Sequence, residues 1–198
     1  MSRQSGRSSK RKVKRRQSNI VETITAADAL AILRRLVERD AQMAKQIEDV
    51  AIEIFSDVDI DSVASEVLWE LESLNVEDVW DRSGSTRDRY VDPGDAAWRM
   101  FEDALLPFQE QVEKYRQLSM NQEAKLVCMG ILKGIYDFHK ESDPEYKDWA
   151  VDAPAEYFHA VLHDWQKSTN KRSDLAEMKR FTEKNCPAWT NSRGKKPS

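Results

Sequence analysis

The histidines of this 198-residue chain are the residues whose spacing most directly suggests chemistry. His159 and His163 are four residues apart and share a helix face, and with Glu156 they form the pattern E-x-x-H-x-x-x-H. A di-iron bundle needs a second Glu-x-x-His copy and two further carboxylates, and a structural zinc site needs more cysteine or histidine. The chain has no second copy and only 2 cysteines. We therefore interpret these residues as a polar helix face and predict no metal site.

Other reaction or cofactor motifs do not occur in the sequence. It contains no G-x-G-x-x-G, no G-x-x-x-x-G-K and no G-x-S-x-G. The segment DVDID, residues 57–61, resembles part of a calcium loop but lacks the glycine and the distal glutamate of an EF-hand. The sequence therefore predicts no cofactor, and an enzyme ranks last among the function classes that we consider.

The segment Asp78–Asp92 combines arginines and aromatic residues around the turn Ser83-Gly84-Ser85. Arginine and large aromatic side chains dominate the binding energy of many protein interfaces. A second polar and aromatic segment, residues 146–149, is expected to lie beside it. We predict a partner-binding face whose candidate residues are Trp80, Asp81, Arg82, Arg87, Tyr90, Lys147 and Trp149. The alternative is that the tryptophans fill gaps between helices while the charged residues form structural salt bridges.

The first 18 residues form a basic segment with Val13 as almost its only apolar side chain, and we expect it to be disordered. It is either a solubilising tail or an electrostatic arm for nucleic acid, and in a eukaryote it would also pass as a nuclear localisation signal. The candidate nucleic-acid-binding residues are Lys10, Arg11, Lys12, Lys14, Arg15 and Arg16.

Charge and cysteine content restrict the class of protein. The net charge is −4, but eight basic residues in positions 1–16 and three in the last six leave −15 for the body between them. Two cysteines do not make a disulfide framework, which favours a reducing compartment: the cytoplasm, or the nucleus in a eukaryote. The longest apolar run, Leu126–Leu132, is far shorter than a membrane span, and the basic N-terminus lacks the apolar region of a secretory signal.

The helices that must position these residues are organised around Ala124–Phe138, which is apolar over most of its circumference. Gly130 and Gly134 are expected to permit the close approach of a neighbouring helix, and Pro107 is expected to kink or interrupt its helix. About seven helices and no strand are predicted: residues 26–39, a second helix capped by Asp40 and ending near Phe55, residues 62–74, a fourth that begins at Pro93 and carries an apolar stripe to Tyr115, the central helix starting at Ser119 or Asn121, residues 153–167 and residues 174–184.

The predicted fold is all-α: an antiparallel helix-hairpin bundle, or a repeat-like (TPR-like) array, of about seven helices. The predicted organisation is a disordered basic tail at residues 1–18, a single helical domain at 19–185 and a basic C-terminal tail at 186–198.

Four strings carry a resemblance to a known group of proteins: VEDVWDRSG, YVDPGDAAW, CMGILKGIYDF and KDWAVDAP. They resemble a family of uncharacterised helical proteins of bacteria and archaea, which is similar to the helical region that accompanies SWIM-type zinc fingers. The resemblance extends from about Ile24 to Trp165 and implies an all-helical, repeat-like fold. It implies no reaction, and the zinc signature C-x-C…C-x-H is absent here.

Two function classes follow from these observations. The first is a non-enzymatic interaction module, such as an adaptor, that binds an unidentified protein partner through the segments 78–92 and 146–149. The second is a nucleic-acid-associated protein that uses the basic arm.

Overall fold

The computed structural model describes residues 22–85, 90–142 and 144–190, and these residues are almost entirely helical. The chain divides into two compact units, residues 1–55 and 56–198. The all-α class predicted from the sequence is confirmed. The nucleic-acid candidates at positions 10–16 and the partner-binding candidate Arg87 lie outside the described residues.

Two helices are described in full in the first unit, α1 (Ala26–Arg39) and α2 (Ala41–Phe55), and they pack against each other. Thr25 and Asp28 form a capping box at the start of α1, because each side chain accepts a hydrogen bond from the other residue's backbone N–H. Asp40 alone links the helices, and its carboxylate accepts the N–H of Gln42 at 2.9 Å. The bounds predicted for this helix pair are therefore confirmed.

The second unit holds the remaining described elements. In chain order they are α3 (Ile60–Glu72), α4 (Val76–Arg82), β1 (Gly84–Ser85), β2 (Tyr90–Val91), α5 (Pro93–Gln117), α6 (Asn121–Glu141), a 3-10 helix (Glu145–Trp149), α7 (Ala153–Ser168), α8 (Arg172–Asn185) and α9 (Pro187–Thr190). Helix α6 contacts α3, α5, α7 and α8, so the helix predicted to be central is central in this unit.

The closest helix contact joins α3 to α6 through the two glycines. A Cβ atom added to Gly130 would lie 2.5 Å from the Cβ of Val63, and one added to Gly134 would lie 2.6 Å from the Cβ of Val67. Two carbon atoms that are not covalently linked cannot approach each other so closely, so both positions require glycine at this helix spacing. The expectation that the glycines permit close approach is confirmed.

The narrow polar strip of α6 is used for ion pairs. Lys125, although only 3% exposed, places its ammonium 2.5 Å from a carboxylate oxygen of Glu177 and 3.4 Å from one of Asp174, both on α8. Lys133 pairs with Asp137 one turn later, at 2.7 Å, and this hydrogen bond raises the pKa of the lysine. Lys125 therefore helps to hold α8 against α6.

The structure differs from the sequence prediction in several details. Of the kink or interruption expected at Pro107, the interruption does not occur, since α5 continues from Pro93 to Gln117. The proline is exposed, so water can hydrate the Asp103 carbonyl that the missing N–H leaves unpaired. Helix α8 begins after Lys171 rather than after Ser173, and α9 lies within the segment assigned to the C-terminal tail.

Two short helices and a strand pair were missed because each is too short to show a periodic pattern. These are α4, α9 and the antiparallel pair β1–β2, in which Gly84 faces Val91 and Ser85 faces Tyr90. Among the described helices, none is both long and apolar enough to cross a membrane.

The glycine contact gives a stability prediction. Replacing Gly130 with alanine should lower the free energy of unfolding by about 2 kcal/mol, since overpacking a core costs roughly 1–3 kcal/mol. A helical glycine without such a contact should instead gain up to about 1 kcal/mol from the same change. Urea unfolding followed by circular dichroism measures the difference.

Gly94, in the first turn of α5, is the matched control. Its added Cβ would lie 3.1 Å from the Asp92 carboxylate and 3.7 Å from the Trp149 carbonyl, so Gly94→Ala should change stability by less than about 1 kcal/mol. Equal effects of the two substitutions would show that the α3–α6 contact does not require glycine.

Candidate interaction face

Helix α4 carries the first part of the predicted face. The Asn75 side chain caps the helix by accepting the N–H of Asp78 at 2.9 Å, and Val79 is fully buried beneath it. Trp80 is 51% exposed, and Asp81 and Arg82 are exposed as well. One buried anchor therefore holds a short helix whose aromatic and charged residues face solvent.

The strand pair β1–β2 carries the second part. Gly84 has φ +90°, a conformation that favours glycine, and it pairs with Val91, which is buried. Tyr90 alternates with Val91 and is 68% exposed. The strand alternation therefore directs Tyr90 outward because Val91 faces the core.

The 3-10 helix Glu145–Trp149 is fixed against α5 by a buried tyrosine. The Tyr146 hydroxyl donates a hydrogen bond to the Ala97 carbonyl, and burial raises the pKa of this phenol. Trp149 packs edge-to-face on Trp80, with ring centroids 4.9 Å apart and planes at 75°. The structure therefore brings the two predicted segments together through their tryptophans.

The two predicted cations of the described face are both engaged. Arg82 donates to the Asp103 carboxylate at 2.9 Å in an exposed pair. The Lys147 ammonium donates to the carbonyls of His139 and Ser142, each at 2.7 Å, and so caps the end of α6. Lys147 thus has a structural role that the sequence did not suggest.

Exposed carboxylates lie on and next to the elements that carry the tryptophan pair. They lie on α4, just before and within the start of α5, and on the 3-10 helix: Glu77, Asp78, Asp81, Asp92, Asp95 and Asp148. Arg82 is paired with the Asp103 carboxylate and Lys147 directs its ammonium at two backbone carbonyls, so the exposed charged groups in the described part of this face are mainly carboxylates. We call Trp80, Asp81, Tyr90 and Trp149 the tryptophan face.

The gap-filling interpretation of the tryptophans fits one of the two residues. Trp149 is half-buried and fills space beside α4 and the start of α5, as a gap-filling residue would. Trp80 contacts it but keeps half of its own surface in solvent. Large aromatic residues that stay exposed on a supported element are typical of interfaces.

The other residues considered for chemistry are separated or buried. His159 and His163 are exposed, and no three His, Cys, Asp or Glu side chains within the described ranges are placed to hold one metal ion. Cys128 and Cys186 are both fully buried, and burial raises the pKa of each thiol to about 12. The interpretation of Cys128 as a small buried hydrophobe is confirmed.

A cleft of about 360 Å³ beside α5, α6 and α7 was not predicted from the sequence. Its polar lining includes Glu102, Tyr157, Asp164 and Arg116, and Arg116 already donates to the Ser168 hydroxyl at 2.6 Å. Burial and the neighbouring Glu102 raise the pKa of Tyr157 to about 12. These residues are spread over 63 positions, so no sequence motif could have indicated the cleft.

Comparison of the chain with protein-family models, with curated proteins and with solved structures finds no match. The resemblance to helical proteins related to SWIM-containing chains therefore stays a prediction. The function has to be argued from the tryptophan face and from the charge distribution.

The contacts at the face predict which residues can be changed without unfolding the protein. Arg82→Ala should alter the free energy of unfolding by less than about 1 kcal/mol, since exposed ion pairs contribute little. Tyr146→Phe should cost about 1–1.5 kcal/mol, because it removes a buried hydrogen bond to the Ala97 carbonyl, which keeps only its donor within α5.

Thermal and urea unfolding of the two variants and the wild type would measure this contrast. A large loss in Arg82→Ala would favour the alternative in which the charges of this segment are structural. In that case Arg82 could not be used as a probe of binding.

Proposed function

We propose that this protein is a non-enzymatic interaction module, in the manner of an adaptor, that binds a protein partner through the tryptophan face. The observation that carries the proposal is the half-exposed Trp80 supported edge-to-face by Trp149. A rigid aromatic residue on a fixed support loses little conformational freedom when it binds, which favours its use as an anchor.

The charge of the face favours a basic partner segment. Exposed carboxylates lie on α4, at the start of α5 and on the 3-10 helix, while Arg82 and Lys147 are engaged by groups of this chain. An arginine or lysine side chain can pair with these acids and also lie over an indole ring. We therefore propose a partner with an exposed basic stretch that includes at least one arginine.

Selection from a phage-displayed random peptide library against the full chain tests this proposal. The enriched peptides should be rich in arginine or lysine, and calorimetry should give a dissociation constant that Trp80→Ala raises about tenfold or more, as expected for an anchor residue. Asp81→Asn should weaken binding to a smaller extent, and added salt should do the same.

Trp69→Ala is the matched control, because Trp69 is also a solvent-exposed tryptophan, at 69%, but lies on α3 outside the tryptophan face. It should change the dissociation constant by less than about twofold, in the range of an energetically neutral surface residue. Peptides that bind equally well to the Trp80→Ala and Trp69→Ala variants, or that show no basic preference, would contradict the proposal.

Nucleic-acid association through the basic arm is a second candidate function, and the eight basic residues without an acid in positions 1–16 favour it. Neutralising phosphates releases counterions, so the affinity for duplex DNA should fall with salt at a log–log slope of about −0.9 for each phosphate contact. A full-chain variant with glutamine at Lys10, Arg11, Lys12, Lys14, Arg15 and Arg16 should lose that binding and its slope.

Fluorescence anisotropy with labelled duplex DNA and single-stranded RNA, across a salt series, would measure both chains. Binding that the glutamine variant keeps would exclude the arm as the binding element. An absence of binding by the wild type at low salt would leave the arm as a solubilising or targeting tail.

A further inference from the structure

The helix pair α1–α2 has no core of its own. Not one residue of Ala26–Arg39 or Ala41–Phe55 is buried, although both helices are strongly amphipathic. Isolated helices of 14 or 15 residues are marginal in water, and most helical stability comes from packing an apolar face. The apolar surface of this pair therefore needs further cover.

The uncovered surface is a continuous stripe rather than a set of scattered residues. On α1 it contains large aliphatic side chains at helical spacing, each 37–49% exposed: Leu30, Ile32, Leu33, Leu36 and Val37. On α2 four apolar residues recur at spacings of four, three and four positions: Met43, Ile47, Val50 and Ile54. The first two are partly covered, while Val50 and Ile54 stay 53% and 67% exposed. We call these seven exposed aliphatic residues the hairpin stripe.

Opposite charges border the hairpin stripe on the two helices. On a helical wheel, Arg34 and Arg39 flank the apolar sector of α1, and Glu48 and Glu53 flank that of α2. All four side chains are exposed, and no ion pair joins them within the part of the chain that the structure describes. Such flanking charges are the ones that select partners between packed helices.

The terminal segments outside the described residues offer little apolar surface for this purpose. Residues 1–21 contain only Met1, Val13, Ile20 and Val21 as large apolar side chains, fewer than the seven of the stripe, and residues 191–198 contain no large aliphatic or aromatic residue. The hairpin stripe of a second copy, in contrast, is apolar at the same spacing, and the acids that flank its α2 can pair with the arginines that flank α1 of the first copy. Two-fold symmetry would set α1 of each copy against α2 of the other.

We propose that the hairpin stripe binds the hairpin stripe of a second copy of this chain, and that the resulting four-helix interface makes the protein a homodimer. At roughly 80 Å² of apolar surface for each half-exposed aliphatic side chain, the seven residues of two copies would bury about 1,100 Å². Specific interfaces need about 1,000 Å² or more, so the stripe alone suffices.

Sedimentation equilibrium of the full chain tests the dimer, with Val50→Glu compared to Ile52→Glu. The two positions lie two residues apart on α2, both side chains are exposed, and the change is identical, but Ile52 lies outside the stripe on the helical wheel. Wild type should sediment at twice the monomer mass. Val50→Glu should raise the dissociation constant about 100-fold or more, because each dimer would bury two carboxylates, and Ile52→Glu should change it less than about threefold.

A charge exchange keeps the proposal testable if Val50→Glu impairs folding. Arg34→Glu with Arg39→Glu should raise the dissociation constant about tenfold, and adding Glu48→Lys with Glu53→Lys should restore it. Circular dichroism would check that each variant keeps its helix content. A monomeric wild type, equal effects of Val50→Glu and Ile52→Glu, or a charge exchange that fails to restore association would each overturn the proposal.

Discussion

The helix packing of the second unit depends on the contact between two glycines of α6 and two valines of α3. Gly130 and Gly134 leave no room for a Cβ atom against Val63 and Val67, so the two backbones pack at a distance that no other residue permits. Because α6 also contacts α5, α7 and α8, the position of α3 on this helix fixes the centre around which the others pack. A displacement there would disturb every layer of the core, since packed interiors do not deform continuously.

The tryptophan face is held by interactions that begin in the same core. Helix α6 ends at Glu141, and Lys147 donates to carbonyls of its last turn and of Ser142, so the 3-10 helix is tied to the end of the central helix. Tyr146 ties it to α5 through the buried Ala97 carbonyl. Trp149 then supports Trp80. The exposed aromatic residue is thus connected to the core through polar contacts that have specific geometry, which is what a preorganised binding residue requires.

The two units differ in how their apolar residues are covered. In the described part of residues 56–198 each long helix has buried apolar positions, and large side chains such as Phe101 and Phe138 are fully buried. In α1 and α2 the same kind of periodic pattern stays exposed. Periodicity therefore shows which face of a helix must be covered but does not show whether the cover comes from the same chain. That distinction underlies the proposal of a homodimer, separately from the function proposed for the tryptophan face.

The sequence by itself determined the helical class, the bounds of α1 and α2 and the central place of Ala124–Phe138, because caps and apolar periodicity act over only a few residues. Thr25 and Asp92 cap their helices in the structure as their types predict, and of the two aspartates that could cap α3, Asp59 and Asp61, Asp59 is the cap. Only the tertiary structure decided that Trp80 meets Trp149, that Lys147 caps α6 and that β1 pairs with β2. These contacts join residues that no local pattern relates, since they depend on where α5 and α6 place the intervening chain.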